Sequence, residues 1–168
     1  MGLFDKLFGS KENKTVEVEI YAPLSGEIVN IEDVPDVVFS EKIVGDGIAI
    51  RPTGNKIVAP VDGVIGKIFE TNHAFSMESK EGVELFVHFG IDTVELKGGP
   101  FETTVTVGQK VDEHTVLSTV DLEALKEAGK DTAMMVLFTN MDKVESISIA
   151  TEGAVEGKSE IGKVTLKA

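Results

Sequence analysis

The chain has no cysteine, no long apolar run, few basic residues and three histidines in 168 residues. Without cysteine there are no disulfides, no thiolate nucleophile and no thiolate metal site. A cysteine-free chain fits a reducing cytoplasm, and cytoplasmic localisation is expected. No hydrophobic stretch reaches the length of a membrane span. Met1 to Phe8 carries an acidic residue inside a short apolar segment, so it does not read as a signal peptide. Lys and Arg number 16 against 29 carboxylates, a formal charge of −13. Such a balance argues against a nucleic-acid ligand and favours basic protein partners met through salt-dependent encounters.

Several motifs of familiar chemistry are also missing. Gly153-Ala154-Val155-Glu156-Gly157-Lys158-Ser159 is one residue short of a phosphate loop, and strand-like rather than helical sequence follows it. Gly45-Asp46-Gly47 lacks the third glycine of a dinucleotide fingerprint. Neither a His-Glu-x-x-His helix nor a Gly-x-Ser-x-Gly elbow occurs.

What is present reads as β-structure. Val16, Val18 and Ile20 alternate with polar residues, the period of a half-buried strand. Short apolar segments then recur about every ten residues between glycine and proline. They are 27–31, 47–51, 56–59, 64–69, 83–89, 103–107, 116–120, 134–138, 144–149 and 163–167. This spacing predicts an all-β antiparallel sandwich or barrel, with residues 15–168 forming one domain. One helix is expected over 122–128, capped by Asp121 and stopped by Gly129, and a further short turn around 37–44. Ala22-Pro23-Leu24-Ser25-Gly26-Glu27-Ile28 is echoed by Ala59-Pro60-Val61-Asp62-Gly63-Val64-Ile65, consistent with two related halves. Residues 1–14 stand apart. Leu3, Phe4, Leu7 and Phe8 line one face of a short helix, and a polar linker follows, which predicts a detached amphipathic segment able to order on a membrane surface.

Two histidines carry the candidate chemistry. His88 lies inside the apolar run Val83 to Phe89, on the same face as Phe86, with Gly90 just beyond. A buried strand has no packing need for imidazole, the side chain that titrates nearest neutral pH. His73 follows another strand-like run and is flanked by Phe69 and Phe75, with Thr71 placed to hold one ring nitrogen. If the two strands are neighbours, the rings meet. Such a pair supports either nucleophilic attack on phosphorus, assisted by the second ring, or metal ligation completed from elsewhere. His114 sits in a polar turn and reads as an exposed residue. The apolar residues of Asp36 to Gly45, together with Phe69 and Phe86, read as the rim of a docking surface around the histidines.

Gly82 to Val94 is a glycine, three hydrophobic residues before His88, and then hydrophobic-Gly-hydrophobic-x-Thr-hydrophobic. This stretch resembles the phosphorylation-site pattern of glucose-type enzyme IIA of the bacterial phosphoenolpyruvate:sugar phosphotransferase system. The likeness runs from Met1-Gly2-Leu3-Phe4-Asp5-Lys6-Leu7 through Ala22-Pro23-Leu24-Ser25-Gly26, Asp36-Val37-Val38-Phe39 and Gly66 to Phe75 as far as Lys97, and thins beyond. It implies a duplicated antiparallel β-sandwich of hybrid-motif type with one or two short helices, acting as a phosphotransferase component. By resemblance, His88 accepts a phosphoryl group from the small phosphocarrier HPr and passes it to the IIB domain of a IIB/IIC sugar permease. His73 assists donation and Thr71 holds His73. Val38, Phe39, Ile43, Val44, Phe69, Phe86 and Val94 form the partner surface, with Asp36 and Asp92 facing basic groups. The resemblance further implies regulation of glycerol kinase, other sugar permeases and adenylate cyclase. It implies no cofactor for transfer, although zinc shared with a partner can sit on His73 and His88. A free-standing monomer is expected.

Overall fold

The computed structural model describes residues 15–97 and 99–167; the amphipathic segment expected over 1–14 lies outside them. The chain runs β1 (Val16–Tyr21), β2 (Gly26–Asn30), α1 (Val37–Ser40), β3 (Asp46–Pro52), β4 (Lys56–Val58), β5 (Gly63–Ile68), β6 (Ala74–Ser79) and β7 (Glu84–Phe89). It continues through β8 (Phe101–Thr103), β9 (Lys110–Val111), β10 (Val116–Val120), α2 (Leu122–Glu127), β11 (Met134–Phe138), β12 (Val144–Ile149), β13 (Gly153–Val155) and β14 (Glu160–Leu166). No helix among the described residues is long and apolar enough to cross a membrane.

The strands form an antiparallel, sandwich-like assembly. One sheet has eight strands in the order β13-β2-β3-β11-β7-β6-β5-β9, and two smaller sheets run β1-β14-β12 and β4-β10-β8. Read from its two ends, the large sheet pairs β13 with β9, β2 with β5, β3 with β6 and β11 with β7. The small sheets correspond in the same way. A pseudo-twofold axis therefore passes between β11 and β7, where Val136 faces Val87. The unit β4–β10 is inserted between the two parts of its equivalent, β1–β3 and β11–β14.

Besides the β11–β7 pairing, the two halves also meet at the repeated Ala-Pro segments. Tyr21 N–H donates to the Pro60 carbonyl at 2.8 Å, and Val58 N–H donates to the Pro23 carbonyl at 2.7 Å. The bonds are exchanged by the pseudo-symmetry, because Tyr21 and Val58 each precede one copy of the repeat. The glycine of each copy is needed for close approach. A Cβ on Gly26 would lie 2.3 Å from the Arg51 carbonyl oxygen, and one on Gly63 would lie 2.1 Å from that of Glu78.

Alternation along β7 and β11 divides the interior. Leu85, Val87 and Phe89 join Val136 and Phe138 in the main core between the sheets. Met135, Leu137 and Ala49 belong to a second cluster on the opposite face, covered by Phe39 of α1 and Ile31, with Val44 and Phe86 packed against it. Both faces of β11 are thus covered, and all five of its residues are buried. His88 shares parity with Phe86 and lies on the face carrying the second cluster.

The expected helix is present: the Asp121 carboxylate accepts from Ala124 N–H at 3.0 Å, and Gly129 ends the turn at φ +74°. The strand expected over 103–107 instead occupies Phe101–Thr103. Beyond Thr103 the chain enters a turn, with Gln109 Oε1 accepting from Thr106 N–H and Gly108 at φ +86°. Strands β6, β9 and β13 are additional to the expected set; β9 and β13 are only two and three residues long.

Candidate functional site

His73 and His88 meet because β6 and β7 are neighbours. Ala74, the first residue of β6, is in register with His88, and the His73 carbonyl accepts from Phe89 N–H at 2.8 Å. Their rings stand T-shaped, 5.0 Å between centroids with an interplanar angle of 81°. His73 is buried, at 6% exposure, while His88 is half-buried.

Each ring is held on its Nδ1 side. His88 Nδ1 lies 2.8 Å from the Gly90 carbonyl oxygen. A carbonyl only accepts, so Nδ1 carries the proton and the Nε2 lone pair is free. Gly90 makes this possible at φ +77°, in a space where a Cβ would stand 2.5 Å from Thr93 Cγ2. The Thr71 hydroxyl contacts His73 Nδ1. Two residues apart, Thr71 and His73 would share a face in extended chain. They meet instead across a tight turn, with Asn72 at φ +58° and its N–H donating to the Phe69 carbonyl.

Three phenylalanines enclose the pair. Phe39 lies 4.9 Å and Phe86 5.8 Å from His88, and Phe69 lies 5.6 Å from His73, all between ring centroids. Burial, and then the neighbouring His73, push His88 down to about 4, against smaller upward effects from the Gly90 carbonyl and Asp36. Burial lowers His73 as well. Both rings are therefore neutral at pH 7.

The residues expected at the partner surface divide into two groups. Val38, Ile43 and Val94 are exposed at 40%, 66% and 50%. Phe39 is buried, and Val44, Phe69 and Phe86 are half-buried, so these four support the surface more than they present it. Asp36 caps α1 by accepting from Val38 N–H at 2.9 Å and is close enough to act electrostatically on His88. Asp92 is exposed, in left-handed backbone at φ +58°. The part played by the Gly90 carbonyl was not read from the sequence; the signal was a glycine directly after a strand, where positive φ is common. Among the described residues no group of three or more His, Cys, Asp or Glu side chains could hold a metal ion, so this site offers two imidazoles and no further ligand.

Residues 18–144 match the family described as phosphoenolpyruvate-dependent sugar phosphotransferase system, EIIA 1. The chain belongs to this EIIA family. It is 66% identical over 161 residues to the PTS system glucose-specific EIIA component of Haemophilus influenzae, covering 96% of this chain and 97% of that protein. It is 41% identical to part of the glucose-specific EIICBA component of Streptococcus pneumoniae, covering 91% of this chain but 21% of that longer protein. The solved structure of glucose permease IIA from Mycoplasma capricolum superimposes with a TM-score of 0.79 at 38% identity, over 90% of this chain and 96% of that one. The fold expected from the sequence is thus the fold of the family. This EIIA chain is a component of a sugar phosphotransferase system.

Proposed function

We propose that this EIIA chain is a phosphocarrier in glucose transport, with His88 Nε2 as the atom that carries the phosphoryl group. The observation behind this reading is the Gly90 carbonyl on His88 Nδ1, which leaves Nε2 unprotonated inside a phenylalanine-lined hollow. The Nε2 lone pair attacks phosphorus of the phosphohistidine on HPr. The Nε2–P bond forms as the donor N–P bond breaks, and its electron pair returns to the donor ring. His88 keeps its Nδ1 proton, and the Gly90 carbonyl stabilises the positive charge that the ring gains.

For onward transfer, a cysteine thiolate of the IIB domain attacks the same phosphorus, and the N–P electrons return to His88. His73 assists this step. With its Nδ1 accepting from the Thr71 hydroxyl, its Nε2–H is free to donate to a phosphoryl oxygen, where charge changes during transfer. The protein contributes position and electrostatics, with no covalent chemistry beyond the nucleophile.

The exposed Val38, Ile43 and Val94 supply the apolar part of the partner surface, and Asp36 and Asp92 the acidic part. HPr, which delivers the phosphoryl group, and IIB, which removes it, bring basic groups that tolerate the dianion. Glycerol kinase, non-phosphotransferase permeases and adenylate cyclase are the regulatory partners. Binding that relies on apolar packing over the unphosphorylated hollow is lost when a dianion is added there. Zinc shared with such a partner would be held by His73 and His88 and would reinforce docking; phosphotransfer does not use it. Residues 1–14 are assigned to contact with the membrane surface near the permease.

The reading is tested by mass spectrometry after mixing with phosphoenolpyruvate and the two general phosphotransferase proteins. One added phosphoryl group, lost in acid and retained in base, supports it. No added mass, or an acid-stable phosphate, contradicts it.

A further inference from the structure

The carbonyl that selects the His88 tautomer is itself held by a segment far away in the sequence. Gly90 N–H donates to the Ala133 carbonyl at 2.8 Å, and Ile91 N–H donates to the Asp131 carbonyl at 3.0 Å. Residues 131–133, immediately before β11, thus clamp the peptide groups on either side of Gly90. The clamp has its own fastening. The Asp131 carboxylate reaches forward to accept from Ala133 N–H at 2.8 Å, which curls the segment so that both carbonyls face residues 90 and 91. Ala133 is fully buried. From the other side, the Thr93 hydroxyl donates to the Phe89 carbonyl at 2.5 Å, and the Asp131 carbonyl oxygen would stand 2.9 Å from a Cβ on Gly90. Gly90 therefore has little room to move.

We propose that Asp131 is a positioning residue for His88, acting through the 131–133 turn and the Gly90 carbonyl to keep the proton on Nδ1. What matters is the acceptor oxygen two residues before Ala133 N–H, more than the charge. The Arg51 guanidinium is 3.8 Å from the carboxylate, and both side chains are partly exposed at 48% and 27%, so this ion pair contributes little. If the Asp131 oxygen is lost, Ala133 N–H is left buried without a partner. The turn then reopens to find one, and the Gly90 carbonyl moves with it.

The inference deepens the phosphocarrier reading and rests on it for its consequence, but the tautomer is measured in the unphosphorylated chain. Nitrogen-15 chemical shifts of the His88 ring are recorded for the full-length protein and for Asp131→Asn, Asp131→Glu, Asp131→Ala and Arg51→Met. Asn keeps an acceptor at the right reach, whereas Glu keeps the charge but places its oxygens too far out. Asn and Met are expected to match the parent, with His88 protonated on Nδ1. Glu and Ala are expected to show a mixture of tautomers and a rate of phosphoryl acceptance lower by about tenfold or more. If Ala does not fold, the Asn and Glu variants decide. A parent-like tautomer in Glu, or Asn behaving like Ala, overturns the proposal. Should the tautomers shift as expected while even the parent accepts no phosphoryl group, the phosphocarrier reading fails and the positioning role of Asp131 stands.

Discussion

The rings of His73 and His88 are nearly perpendicular and 5.0 Å apart, yet their fixed nitrogens have different partners: a threonine hydroxyl for His73 and a glycine carbonyl for His88. The carbonyl forces a proton onto His88 Nδ1. The hydroxyl of Thr71 is free to donate as well as accept, so it leaves His73 able to carry a donor proton on Nε2.

Unequal loss of function follows from that difference. His88→Gln removes the proposed nucleophile and is expected to abolish phosphorylation. His73→Gln is expected to accept from HPr near the parent rate but to donate to IIB more slowly by about 10²-fold, the usual cost of one transition-state hydrogen bond. Single-turnover measurements of each half-reaction separate the two. A His73→Gln protein that fails to accept, beside a His88→Gln protein that accepts, reverses the assignment.

Stability should depend on pH through His88. Its folded value of about 4 lies below the ordinary histidine value of about 6.5, with burial the main cause. Between those limits the unfolded chain binds a proton that the folded protein refuses, so stability rises as pH climbs from about 4 to about 6.5 and is flat above. The cost on acidification is on the order of 3 kcal/mol. Denaturant unfolding of the parent and of His88→Gln across this range is expected to show a shallower acid loss in the variant. Parallel curves would contradict the assigned shift.

Much of this site was legible in the sequence, for identifiable reasons. His88 was visible because imidazole interrupts a run that otherwise reads as buried strand, and His73 because it follows a second such run between two phenylalanines. The duplicated Ala-Pro turns were visible because proline and glycine report local backbone geometry, and they form one of the contacts between the halves, beside the β11–β7 pairing. The order of the eight-stranded sheet was not visible, since pairing between distant strands leaves no local periodicity. The burial of Phe39 next to the exposed Val38 depends on the single turn of α1, which is too short to give a helical pattern. The clamp on Gly90 was equally hidden. Asp131 looks like an ordinary loop acid until β11 is seen to lie beside β7.

The exposed rim is separable from the chemistry. Ile43→Asp and Val38→Asp alter side chains that are 66% and 40% exposed, so stability is expected to change by no more than about 0.5 kcal/mol. Affinity for HPr and IIB, read by calorimetry, is expected to fall at least tenfold for the double variant, while the His88 ring keeps its proton on Nδ1. Unchanged affinity for both partners would remove these residues from the docking surface.

One nitrogen atom, Nε2 of His88, decides the proposed chemistry. The phosphorylated protein, kept in base and examined by phosphorus-31 and nitrogen-15 resonance, reveals which ring atom bears the phosphoryl group. With Gly90 occupying Nδ1, the phosphorus is expected to couple to Nε2 of His88, and the His73 ring is expected to remain unmodified. Phosphorus on Nδ1 of His88, or on either nitrogen of His73, would contradict it.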